Sequence, residues 1–180
     1  HLEYFKKEEI KVSTSLDGPE YIHDKNRPFG TKSSYASTIK NIKRAQEYLG
    51  KFYISALMTT TKNSFPYWKE IIDEYRKNDL GNIFIRSLSP YGFATNTWGM
   101  LGYSANEFMD FYKELIAYIQ ELPQDIVEHS ALFHLNRIFS QSTSFVDLKS
   151  PAGIVIISKG TSNESPAIIA VDVALIFIFT

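Results

Sequence analysis

The residues able to do chemistry gather in one short stretch, VSTSLDGPEYIHDKNRP at positions 12–28. Ser15 closes a β-rich run. Asp17-Gly18-Pro19 follows as a turn, because Gly supplies positive φ and Pro blocks continuation of the strand. That sets a hydroxyl at a strand end, beside a turn that lets backbone approach a ligand. A purely turn-forming role for Ser15 stays open beside the ligand-binding one. Asp17 reads as the turn residue that holds the loop. His23 next to Asp24 has the makings of a catalytic dyad, but no Ser or Cys nucleophile is implied nearby, so the pair reads as a helix start or loop clamp. Arg27 has Asp24 and Glu20 as surface partners, and such pairs contribute little. Arg86 lies within an apolar strand, where an unpaired charge is costly. It therefore faces either a ligand or a carboxylate partner.

Other clusters carry less. His129 and His134 are five residues apart, whereas a helical metal pair wants i, i+4 on one face. Glu70, Asp73 and Glu74 are interspersed with Lys69, Arg76 and Lys77 on one helix and are expected on its outer face. No two carboxylates are set to face each other at strand ends as in a glycosidase. The 180 residues include no cysteine. Disulfides, thiolate nucleophiles and Cys-ligated iron–sulfur clusters are thus excluded within the chain.

The elements that must position these residues alternate. A helix end at 2–8 precedes a strand at 10–15, and residues 19–34, with Pro28 and Gly30, read as a loop. Ile39, Ile42, Ala45, Tyr48 and Leu49 recur at helical spacing over 35–49, with Gly50 as the stop. KFYISALM at 51–58 reads as a strand and 66–78 as a helix, with Pro66 in its first turn and Ile71, Ile72 and Tyr75 inward. NIFIRSL at 82–88 is a third strand, followed by a long loop from Ser89 to Tyr103. Ser104 and Glu107 fit a capping box for a helix to about Glu121, with Phe108, Phe111, Leu115 and Ile119 inward. A further helix is expected near 124–139, carrying Ile126, Leu132, Leu135 and Ile138. This βαβαβ order implies parallel strands joined by right-handed crossovers, with the working loops at the carboxyl ends of the strands. No G-x-G-x-x-G follows a strand and no G-x-S-x-G elbow is present, so dinucleotide-binding and α/β-hydrolase readings have no support.

Length and charge bound the rest. The chain suffices for one core, and its net charge is -1. The basic pairs at 6–7 and 43–44 are interrupted by acids and read as solvated helix faces, so no nucleic-acid partner is expected. The N-terminus HLEYFKKEEI is charged and unlike a signal peptide. AIIAVDVALIFIFT at 167–180 is shorter than the ~20 residues of a membrane helix and is interrupted by Asp172. It reads as buried strand, and as a free tail it would be an aggregation hazard.

The stretch S-L-D-G-P followed by E-Y-I-H-D-K-N-R resembles the fourth-strand segment of radical S-adenosylmethionine (SAM) enzymes with a C-terminal SPASM domain, such as anaerobic sulfatase maturases. ISALMTTTK at 54–62 looks like the fifth strand and NIFIRSLSPYGFA at 82–94 like the sixth. That last segment, with FVDLKSPAG at 145–153, is most similar to the maturase of the His-Xaa-Ser peptide system. The likeness spans about residues 2–153. It implies a partial (β/α) barrel of the radical SAM type, strands four to six with their helices, incomplete at both ends. Residues 1–150 would be barrel and 151–180 a divergent tail. The resemblance implies that Ser15 hydrogen-bonds SAM, that Arg44 on the following helix assists, and that Leu88 lies at an adenine-side backbone position. Arg86 would then face substrate or SAM across the lumen, or pair with a carboxylate.

The full-length parent is expected to be a cytoplasmic enzyme using SAM and a 4Fe–4S cluster to modify a His-Xaa-Ser-type precursor peptide. This chain lacks the C-x-x-x-C-x-x-C and G-G-E-P segments, so it is expected to bind neither cofactor well and to be inactive alone. The start at His1 and the change of character near residue 157, as after a frame shift, suggest a piece of a longer reading frame. The alternative is a non-catalytic, degenerate barrel module that binds a peptide or nucleotide. Exposed sheet edges are expected to cause self-association.

Overall fold

The computed structural model describes residues 1–123 and 126–140. Its β-branched and aromatic runs form a four-stranded parallel sheet: β1 (Val12–Ser15), β2 (Ile54–Thr59), β3 (Asn82–Arg86) and β4 (Val127–Glu128), in the order β1-β2-β3-β4. Helices precede and join them: α1 (Leu2–Lys7), α2 (Glu20–Asn26), α3 (Ser34–Leu49), α4 (Trp68–Lys77), α5 (Phe93–Leu101), α6 (Ala105–Glu121) and α7 (His129–Ser140). The sequence order of strands is their spatial order, as successive crossovers in one direction produce.

The strands alternate strictly, and residues opposite one another in register share a face. Ile54, Ala56, Met58, Ile83 and Ile85 are buried on the face that carries the helices. Ile71, Ile72 and Tyr75 of α4, and Phe108, Phe111, Tyr112 and Leu115 of α6, close that core. The other face bears Ser13, Ser15, Ser55, Leu57, Thr59, Phe84 and Arg86, all half-buried or exposed. It is the face that a closed barrel would turn inward.

Local signals explain the helix starts. Ser33 Oγ accepts the Ala36 N–H, and Ser104 and Glu107 form the expected capping box on α6. Trp68, not Pro66, opens α4. Pro66 lies inside the preceding 3₁₀ helix Lys62–Tyr67, one residue before its end.

Several expectations change. The expected loop at 19–34 contains α2, and the expected loop at 89–103 contains α5. The small and polar residues of both lower helix propensity, but packing supplies what propensity lacks. Ile22 is buried under α2, and the Trp98 ring of α5 lies 6.4 Å from that of Tyr103. The helix expected from 124 begins at His129, because Val127 and Glu128 add a fourth strand to the edge of β3. Glu128 is buried there. Its carboxylate accepts the Ile85 N–H at 3.1 Å, the Ala131 N–H at 2.7 Å and the Tyr112 hydroxyl, so one side chain ends the strand and starts α7. Leu132 and Leu135, apolar residues of that helix, are 43% and 49% exposed.

On α3 Gln46 is buried and its amide donates to the Asn78 carbonyl at 2.9 Å, while Tyr48, one of the apolar positions at helical spacing, is not buried. Tyr48 stands outward under Lys6. Glu74, expected on the outer face of α4, is buried and accepts from Tyr35 Oη, from Asn78 Nδ2 and from Lys77 Nζ at 3.2 Å. The boundary at 150, the segment 145–153 and the strand at 167–180 lie outside the described residues. No helix among the described residues is long and apolar enough to cross a membrane.

Candidate strand-end binding site

The strand β1 ends in a turn that a buried charge organises. Asp17 is 1% exposed. Its carboxylate accepts Arg27 Nε at 2.8 Å and Nη2 at 3.1 Å, and the Thr59 N–H at 3.0 Å. Such bidentate, charge-assisted bonds meet the needs of a buried carboxylate. The Asp17 N–H donates to His23 Nδ1 at 3.1 Å. That nitrogen is an acceptor, so His23 is the neutral tautomer with its proton on Nε2. Burial lowers the His23 pKa below the usual 6.5, and Arg27 pushes the same way against Asp17 and Asp24.

Asp24 accepts Ser34 Oγ at 2.8 Å and the Tyr35 N–H at 2.7 Å, tying α2 to the start of α3. These hydrogen bonds and burial have opposite effects on the Asp24 pKa, and the net direction is down. Asn26 Oδ1 accepts from Thr61 Oγ1, and Tyr75 Oη donates to the Leu16 carbonyl at 2.6 Å. The motif at 20–27 is thus a clamp joining the ends of β1 and β2, as read for Asp17, His23 and Asp24. Arg27 corrects its expected partners: it pairs with buried Asp17, not with Asp24 or Glu20 at the surface.

Two of the three candidate ligand residues lie at the carboxyl end of the sheet. Ser15 is half-buried and in register with Leu57, which is in register with Phe84. Leu88 follows β3. Its N–H donates to Tyr103 Oη at 2.6 Å, and the same hydroxyl donates to the Thr60 carbonyl at 3.1 Å. Leu88 therefore has its carbonyl, not its amide proton, to offer a ligand. Burial raises the Tyr103 pKa and keeps the phenol protonated.

Arg44 lies elsewhere. It is exposed on α3 and lines an open cleft of about 790 Å³ beside the outer edge of β1, with Val12, Thr14, Ile42 and Ala45. Ser15 and Leu88 do not line that cleft. Arg86 is exposed on the barrel-facing side, in register with Thr59, and no described carboxylate pairs with it. Thr59 and Tyr103 escaped the reading of the sequence. The run of three threonines at 59–61 was the available signal for the first, and nothing local marks the second.

This architecture has solved counterparts. The structure of native anSMEcpe with bound AdoMet superposes with a TM-score of 0.58 at 21% identity, over 79% of this chain and 40% of that chain. Native anSMEcpe with bound AdoMet and Cp18Cys peptide gives 0.60 at 18% identity, over the same shares. The fold is a partial (β/α) barrel of the radical SAM type. A curated relative, uncharacterized protein sll1766 of Synechocystis sp., is 37% identical over 79 residues, covering 42% of this chain and 19% of its own length. No family model matches. The chain thus spans under half the length of each of these similar proteins.

Proposed function

We propose that this chain is the strand-four-to-six portion of a cytoplasmic radical SAM peptide maturase, with Ser15 as a hydroxyl contact to the ribose of SAM. The observation that carries this reading is the S-x-D-G-P loop at the carboxyl end of β1, within a fold shared with AdoMet-bound structures. The residues present fit part of such a site. Ser15 offers a half-buried hydroxyl, Leu57 an apolar neighbour in register with it, and Leu88 a carbonyl on a residue whose N–H donates to Tyr103 Oη. In that family SAM supplies a 5′-deoxyadenosyl radical for hydrogen abstraction. The chain's own share is to bind and orient the nucleoside.

The cluster does not fit this portion. There is no cysteine to ligate iron. Structures of anSMEcpe with Kp18Cys and Cp18Cys peptides support a peptide as substrate class. The likeness of IFIRSLSPYGFA favours a His-Xaa-Ser precursor within it.

The test joins gene and protein. The reading frame upstream of His1 should encode C-x-x-x-C-x-x-C. The protein read from that frame should bind SAM, and Ser15→Ala should weaken binding about tenfold, the loss of one good hydrogen bond. An initiator codon close before His1 with no such motif overturns the proposal. It would favour the second reading, a non-catalytic peptide- or nucleotide-binding module, which the absence of cysteine also suits.

A further inference from the structure

The barrel-facing side of the sheet carries one charge. Among the described strand residues on that face, Ser13, Ser15, Ser55, Leu57, Thr59 and Phe84 are neutral and Arg86 is cationic. The one acidic strand residue, Glu128, is in register with Ile83 on the opposite face and is buried with Tyr112. Arg86 therefore has no acidic strand residue on its own side among the described residues, and the nearby Asp17 carboxylate is taken by Arg27 and the Thr59 N–H. Its neighbour Thr59, one strand spacing away (~4.8 Å), is conditioned by the clamp. Arg27 Nη2 points at Thr59 Oγ1 from 3.5 Å, which makes that oxygen the acceptor there and leaves its proton to donate elsewhere. A guanidinium fork and a hydroxyl donor thus stand side by side above an apolar row, Leu57 and Phe84, the latter 38% exposed.

We infer that this face binds an acidic peptide, with Arg86 and Thr59 holding a side-chain carboxylate and Phe84 packing the apolar residue beside it. Charge complementarity selects the anion. One guanidinium suits a monoanionic carboxylate bidentately. A phosphate dianion would ask for a second free cation, and Arg27 is already neutralised by Asp17. The inference goes beyond the SAM reading, since it requires neither SAM nor cluster.

Equilibrium dialysis of the full chain at low salt tests it, because that method tolerates self-association. The probes are acetyl-Phe-Asp-amide, acetyl-Phe-Asn-amide, inorganic phosphate and SAM itself. The Asp peptide should bind at least about fivefold tighter than the Asn peptide, the scale of a partly exposed charge pair. Arg86→Gln should abolish the preference, Arg86→Lys should retain part of it, and Thr59→Val should reduce it. Lys40→Gln, on the outer helix layer, should leave it unchanged. Equal binding of the two peptides overturns the inference, as does an Arg86→Gln variant that still prefers Asp. Displacement of the Asp peptide by phosphate at equal concentration would mark a phosphate site instead. Displacement by SAM that depends on Arg86 would assign the residue to the methionine carboxylate, which also overturns the peptide assignment.

Discussion

Burying Asp17 leaves a full negative charge away from water, so its worth to the fold depends on the donors around it. Arg27 supplies two and the Thr59 amide a third. Removing the carboxylate leaves a guanidinium facing an apolar turn. Asp17→Ala should cost roughly 3 kcal/mol, at the low end for a broken buried pair because Arg27 keeps part of its surface in water; the urea midpoint reads it. His23 makes a second, pH-dependent contribution. Its folded pKa lies below 6.5, chiefly through burial. Between those two values the unfolded chain binds the extra proton, so stability rises with pH across that interval and is complete above it. Acidification below 6.5 should therefore weaken the protein, as the imidazolium loses its ability to accept the Asp17 N–H. Urea melts between pH 5 and 8 should show this slope, and His23→Gln should flatten it. At the other extreme, burial and the Glu74 hydrogen bond push the Tyr35 phenol to about 12, so Tyr35 stays a donor throughout.

The elements meet at the turn after β1. Gly18 has φ +123°, and a Cβ there would lie 2.8 Å from Ile71 Cγ1 of α4. Backbone strain and overlap act together, so Gly18→Ala should destabilise by more than about 1 kcal/mol, seen as a lowered Tm. This close approach lets α4 pack against the end of β1, with Tyr75 closing on the Leu16 carbonyl. The cap of α6 is a simpler case. Ser104→Ala removes an acceptor for the Glu107 N–H and should cost about 1 kcal/mol. That loss should be additive with Gly18→Ala, since the two sites share no partner among the described residues.

The four strands among the described residues do not close a barrel. Of these, β1 is a terminal strand of the sheet, and the open cleft beside it is lined by Val12, Thr14 and Ile42. Such an edge presents unpaired backbone groups to any strand that fits. The 180-residue chain should therefore self-associate with rising concentration, and Ser13→Lys, a charge set on the exposed edge, should lower its mean mass in sedimentation. A chain that stays monomeric at every concentration would show that the edge is protected. Whether the occupant in the cell is another copy or the remainder of a longer protein follows from the upstream reading frame.

The first three strands and the helices α3, α4 and α6 between and after them were legible in the sequence because alternation and helical spacing are local, whereas α2, α5 and β4 were not. Ser104 with Glu107 marked a real cap, and Ile71, Ile72 and Tyr75 marked a real inner face, for the same reason. The S-x-D-G-P turn marked the strand end as the place to look for a site. Only the tertiary structure decided partners. Arg27 reaches Asp17 rather than its nearer acids, Glu74 turns inward to Tyr35, and Glu128 is captured by the edge of β3. The last two join residues about forty positions apart in the chain, and even for the first, ten positions apart, local sequence does not encode which buried donors a carboxylate will meet. The same holds for Arg86: sequence left it either paired or facing a ligand, and the register of β2 with β3 put it beside Thr59 on the open face.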